Sequence, residues 1–250
     1  MSDIQQLSPP LSVHMSDVYF DVSTLNHFWV QRRFQVLRHL WKNPPPGASI
    51  GEIGCGHGLL LKQIEDAYGL QGQGYDLNLP AMEGAIVDHR RLFCYNIYDR
   101  RPDLKAKHDV LFLFDVIEHI EDDGAFLEAA LFHLKPGGKL IVSVPAYQGL
   151  FSDYDRVMGH QRRYDIRMLR HLADELDLRI TAWSYWGLMY LPLILVRKRM
   201  LRRVADSDVT RRGFSPPSAF SNRACLLLGQ VEPMPNHLAG SSLMAVFEQH

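Results

Sequence analysis

The sequence predicts an α/β protein of Rossmann-like type, a mostly parallel sheet with helices on both faces. Three observations predict it. The run Glu52-Ile53-Gly54-Cys55-Gly56-His57-Gly58 joins a strand-like segment, 48–53, to an amphipathic helical segment, 59–68. Glycines at such a strand-to-helix turn let the backbone take positive φ and approach a ligand closely, and the helix start offers free N–H groups. A second strand-like segment, 70–75, ends in Asp76, eighteen residues after Gly58; nucleotide-binding folds use a carboxylate at this place for ribose hydroxyls. His108 to Phe114 reads HDVLFLF, a continuous apolar run suited to a strand buried on both faces.

The glycine spacing excludes two common nucleotide loops. A dinucleotide fingerprint needs G-x-G-x-x-G, and a phosphate loop needs G-K-[ST] before its helix; neither is present. At 250 residues, 46% hydrophobic and 22% charged, the chain is expected to be one globular domain, and its net charge of −1 gives no global preference for nucleic acid. Cys55, Cys94 and Cys225 are odd in number and far apart, which argues against a disulfide framework or a cysteine zinc site. The start, MSDIQQLSPP, lacks a basic region followed by an apolar run, so a cytoplasmic location is expected.

In chain order, residues 1–23 mix Ser, Pro and Asp and are expected to order only against the rest. From 24 to 42 the apolar positions recur at helical spacing, and Pro44-Pro45-Pro46-Gly47 ends that helix. A third strand, 91–95, precedes Asn96-Ile97-Tyr98-Asp99, where Asn96 and Asp99 are both candidates to meet a ligand or to cap a turn. The apolar fourth strand leads into Asp115-Val116-Ile117-Glu118-His119, then a helix over 122–134 and a fifth strand over 139–144. A polar segment, AYQGLFSDYDRVMGHQRR, follows from Ala146. Beyond it come a helix (166–176) and a strand (179–183). The apolar stretch 185–196, with its basic end, is too short to span a membrane and is read as a lid over a substrate pocket rather than an anchor. A mobile loop is expected over 206–217, a helix over 218–230 and a last strand over 241–247.

The pattern E-x-G-x-G-x-G, the placement of Asp76, and the stretch DVIEHIEDD…LKPGGKLIVSVPA together resemble class I S-adenosylmethionine-dependent methyltransferases. The piece GHQRRY after the fifth strand resembles a bacterial small-molecule subgroup with GHxRRY at that place. The resemblance implies a seven-stranded, mostly parallel sheet with an antiparallel last strand, plus helical lid elements. It divides the single domain, 1–250, into a helical cover (1–46), a cofactor-binding core (47–147), substrate-side lid segments (148–235) and the last strand (236–250). It also implies S-adenosylmethionine held by Glu52, Gly54, Cys55, Gly56, Gly58, Asp76, Leu77, Asn96 and Asp115. Asp76 would take the ribose hydroxyls, Leu77 or Asn78 would lie near the adenine, and Asn96 or Asp99 would meet its amino group.

The expected reaction is methyl transfer to a small-molecule acceptor, most simply at oxygen, with His119 or His160 as base and no metal. Two alternatives stay open: a metal-assisted site built from Asp115, Glu118, His119 and His160, and a non-catalytic cofactor-binding regulatory protein. The aromatic content and the apolar lid suggest an aromatic, quinone-like or lipid-linked acceptor. No nucleic-acid partner is expected, because Asp115-Val116-Ile117 stands where base methyltransferases carry N/D-P-P-[YF]. No stable membrane insertion is expected.

Overall fold

The computed structural model describes residues 3–11, 23–202, 204–214 and 218–249. The main elements are β1 (Gln5–Gln6), α1 (Phe28–Leu40), β2 (Ile50–Ile53), α2 (Leu59–Tyr68), β3 (Gln73–Asp76), α3 (Leu79–Glu83), β4 (Leu92–Cys94) and β5 (His108–Phe114). They continue with α4 (Asp123–Leu131), β6 (Leu134–Pro145), α5 (Asp153–Val157), α6 (Ile166–Glu175) and β7 (Leu178–Trp186). Last come α7 (Leu191–Leu201), α8 (Asp206–Phe214), α9 (Ala219–Gln230) and β8 (Ser242–Gln249).

The strands form one sheet in the order β1-β4-β3-β2-β5-β6-β8-β7. It is parallel from β1 to β6, and β8 lies antiparallel between β6 and β7. Alternation along β5 builds a core on each face. Leu111 and Leu113 pack in one layer, and Val110, Phe112 and Phe114 in the other. With both faces covered, the carboxyl ends of β2, β3, β5 and β6 converge on one open edge, the usual place for a ligand in such sheets.

Helix α1 brings the amino-terminal segment over this edge. His27 caps it by accepting the Trp29 N–H, Trp29 packs against Trp186 at 4.4 Å, and the buried Arg32 pairs with Glu232 at 3.0 Å.

Two regions differ from the sequence-based expectation. Gln5 and Gln6 add an eighth strand by pairing with Phe93 and Cys94, a two-residue edge that carries no apolar alternation of its own. The segment expected as a mobile loop holds helix α8, while 215–217 lie outside the described residues. Asp206 and Asp208 in its first turn and Arg211 and Arg212 in its last complement the helix dipole, and Val209 is buried against Tyr154, Met158 and Leu201. Pro192 stands in the first turn of α7, where its missing N–H costs nothing.

Candidate active site

The glycine turn is built around positive φ angles: 77° at Gly54, 46° at Gly56 and 70° at Gly58. A Cβ on Gly54 would also come within 2.5 Å of the Val116 side chain, so the β2 turn and the segment after β5 approach too closely for any other residue. Asp76 is anchored to this turn. Its carboxylate accepts the Gly56 N–H at 2.7 Å and the Asn78 N–H at 2.8 Å. Burial raises its pKa, and the backbone donors at Asn78 and Gly56 oppose that rise.

A cavity of about 1150 Å³ opens along the carboxyl edge. Glu52, Gly54, Cys55, Gly56 and Asp115 of the predicted cofactor set line it, as do both predicted catalytic residues, His119 and His160. Gly58, Asp76, Leu77 and Asn96 are not part of that lining. Asn96 caps the turn over 97–99 by accepting the Tyr98 N–H, and its own N–H donates to Ser8 Oγ. Asp99 accepts the Ser8 hydroxyl at 2.6 Å. Both adenine candidates are thus engaged with the amino-terminal segment.

Arg33, absent from the sequence-based set, is buried yet lines the cavity. Its guanidinium donates to Asp115 and lies 5.1 Å from the centre of the Phe114 ring. The sequence does carry a signal for it: Arg32 and Arg33 fall within the apolar stripe of α1, where a charge needs a partner. Asp115 holds a left-handed φ of 57°, a strained position for a non-glycine residue. Glu52, also buried, is pushed up to about 8 by desolvation, which outweighs the pull of Arg33.

Beyond Asp115, a short 3₁₀ turn over Ile117–His119 buries Glu118 completely. Both Glu118 carboxylate oxygens lack a hydrogen-bond partner among the described residues. Desolvation, reinforced by Asp115, pushes this carboxyl well above the usual range. Burial, then His160, lowers His119 to about 3, so it is neutral. The rings of His119 and His160 meet edge to face at 4.7 Å. One ligand-type atom from each of Glu118, His119 and His160 lies within 4.8 Å of the others. Asp115, the fourth member of the metal-assisted alternative, is outside this group and paired with Arg33.

The polar segment after β6 supports His160 from behind. His160 Nδ1 lies 2.9 Å from Asp155 Oδ1. Arg163 reaches both Asp155 oxygens, at 2.8 and 3.1 Å, and the Ser152 N–H and hydroxyl donate to Oδ2 at 2.8 and 2.9 Å. Burial alone would raise the Asp155 pKa, but His160 and Arg163 hold it well below the ordinary value. Arg162 turns elsewhere, to Asp123 at 2.9 Å.

A family profile described as "Methyltransferase domain" matches residues 25–182. The chain is 32% identical over 106 residues to a ubiquinone biosynthesis O-methyltransferase of Idiomarina loihiensis, a match covering 39% of this chain and 42% of that protein. The match therefore spans less than half of that curated relative. In structure the chain resembles geranyl diphosphate C-methyltransferase from Streptomyces coelicolor, with a TM-score of 0.58 and 15% identity, covering 89% of this chain and 76% of that one. It also resembles Haemonchus contortus phosphoethanolamine N-methyltransferase 2, with a TM-score of 0.57 and 15% identity, covering 94% and 57%. At these identities the structural likeness speaks to the fold alone.

Proposed function

The chain belongs to the methyltransferase-domain family, and from that membership we propose that it moves a methyl group from S-adenosylmethionine to a hydroxyl oxygen of a small aromatic or quinone-like acceptor. The observation that carries the reading is that one cavity is lined both by the glycine turn and by His119 and His160. The name of the Idiomarina relative, which specifies an O-methyltransferase of ubiquinone biosynthesis, supports oxygen as the accepting atom.

The cofactor supplies an activated methyl on its sulfonium, so the protein has mainly to align the reactants and exclude water. Gly54 and Gly56 allow the close approach, and Asp76, outside the lining but tied to it through the Gly56 N–H, would take the ribose hydroxyls. Arg33, a cation, and Glu52, a carboxyl that burial holds toward its neutral form, both stand on the cavity wall and suit the carboxylate and ammonium of the methionine end. His160 is the better base of the two histidines. Asp155 fixes its Nδ1–H, leaving Nε2 to accept the acceptor's proton, and would stabilise the imidazolium that forms. His119, held neutral by burial, contributes a lone pair and shape rather than basicity.

The test is incubation with methyl-labelled S-adenosylmethionine and a panel of catechols, amines and carbon nucleophiles. Labelled methyl ethers from catechols are expected. Label entering only amines or carbon would overturn the assignment to oxygen, and no transfer despite cofactor binding would favour the regulatory alternative.

A second reading has one specific observation in its favour. Glu118 is wholly buried with no partner for either oxygen among the described residues, beside two histidines whose ligand-type atoms lie within 4.8 Å. Such a donor set fits a divalent cation of the magnesium, manganese or zinc kind. Glu118, His119 and His160 would hold it, and its chemistry would be to lower the pKa of a bound hydroxyl.

A further inference from the structure

Helices α7 and α9 both contribute to the cavity wall, through Ile194 and Met200 on one and Ser221 and Cys225 on the other. Each also turns large apolar side chains to solvent. On α7, Leu193, Val196 and Met200 are more than half exposed although they line the cavity, so they form its rim. On α9 and its C-cap, Phe220, Leu227 and Val231 recur at helical spacing with Arg223 among them. Phe220 is 83% and Val231 69% exposed. Single exposed apolar residues are ordinary, but several on two helices that both wall one cavity mark an interaction surface.

The charge around this group identifies what it meets. Residues 191–230 carry eight Arg or Lys against two Asp in a chain whose net charge is −1. Arg199, Arg202, Arg211, Arg212 and Arg223 are exposed, whereas Arg197 turns inward over the Tyr154 ring and donates to the Gly213 carbonyl. Both acids already face arginines: Asp206 meets Arg156 and Asp208 meets Arg212. Basic residues interleaved with exposed aliphatic and aromatic side chains suit an anionic lipid surface, where charge draws the protein in and the apolar side chains enter the headgroup boundary. A second copy would bring the same positive surface and be repelled. Among the described residues no helix is long and apolar enough to cross a membrane, so contact would be interfacial.

We propose that α7 and α9 dock the protein on an anionic bilayer, with the cavity rim at the lipid surface so that a lipid-linked acceptor enters from the membrane. The choice of acceptor rests on the methyl-transfer reading above; the docking itself does not. The stretch expected as a lid rather than an anchor is thereby both wall and lipid contact along 191–196, whereas Tyr185 and Trp186 are buried in β7.

Flotation with phosphatidylcholine vesicles, with and without phosphatidylglycerol, tests the docking. Binding is expected only with the anionic lipid, weakening as salt rises. The F220S/L227S/V231S variant and, separately, R211Q/R223Q should each reduce it about tenfold or more. Equal binding to neutral vesicles, or anionic binding unchanged in both variants, would overturn the proposal. So would a dimer in sedimentation that F220S/L227S/V231S converts to monomer, which would assign the face to a second copy. Calorimetry of S-adenosylhomocysteine binding separates the two claims. A chain that binds it without floating refutes docking alone, whereas one that floats without binding it refutes methyl transfer alone.

Discussion

Asp155 accepts a hydrogen bond from His160 Nδ1 across 2.9 Å, and Asp155 itself is completely buried. An ionised carboxylate only accepts, so the proton on that side of the ring is fixed and the other nitrogen keeps its lone pair. With His160 as the proposed base, Asp155 would act on the reaction through it, as a positioning residue.

Replacing Asp155 by Asn tests this role. The amide can present N–H to His160 and impose the wrong tautomer, so kcat should fall by roughly 10²-fold while KM for S-adenosylmethionine stays within about twofold. Asp155→Glu should recover part of kcat if the carboxylate matters, whereas a merely structural role predicts loss with both. The folded pKa is depressed, so Asp155 contributes stability above its ordinary 3.8 that is lost as pH falls through the folded value. Thermal melts of D155N should accordingly vary less with pH in the acid range than those of the native protein.

Glu52 titrates in the opposite sense. Its folded pKa is raised to about 8 from 4.5, so its neutral form is favoured in the folded state. The stability this contributes is fully present below 4.5 and is lost as pH rises toward 8. Glu52→Gln removes the titration, and unfolding midpoints measured from pH 5 to pH 8 should decline less in the variant, by on the order of a few kcal/mol in ΔΔG. Parallel declines would show that Glu52 is ionised throughout.

In the proposed assignment Asp76 links the glycine turn to the cofactor. Two backbone N–H groups orient its carboxylate, and ribose hydroxyls would add charge-assisted hydrogen bonds of roughly 1.5–3 kcal/mol each. Asp76→Ala should weaken S-adenosylhomocysteine binding by about tenfold or much more in calorimetry. Unchanged affinity in a folded variant would remove the ribose assignment.

Much of this arrangement is legible in the amino-acid sequence. The sheet can be read because strands buried on both faces are apolar runs and because an acid followed by three alternate glycines joins a strand-like segment to a helical one; β5 and the turn at Gly54 occur where those patterns put them. The convergence of His119 and His160 is far less legible, since 41 residues and the whole of β6 separate them and spacing carries no distance. Arg33 is hidden differently: its neighbours make a convincing apolar helix, and the charge within that stripe is easily discounted. Helix α8 escapes because Ser, Asp and Gly are loop residues by composition, whereas burial of Val209 and dipole-matched charges decide the outcome.

Glu118 decides between the two readings of the site. A buried carboxyl with no partner can be made neutral in two ways, by a proton or by a cation, and the two respond oppositely to an isosteric amide. In the metal-free reading Glu118 is a neutral acid. Its raised pKa favours the folded state below the ordinary 4.5 and costs stability as pH rises. Glu118→Gln should then stabilise the fold at neutral pH and hold kcat within about fivefold, and turnover should survive exhaustive chelation. In the cation reading the amide is a poor ligand. Turnover would fall by roughly 10²-fold or more, chelation would abolish it, and manganese titrated into the native protein would release heat that E118Q abolishes. We expect the first set of results. Restoration of chelated enzyme by a divalent metal would instead make Glu118, His119 and His160 ligands, and the base assigned to His160 would have to be withdrawn.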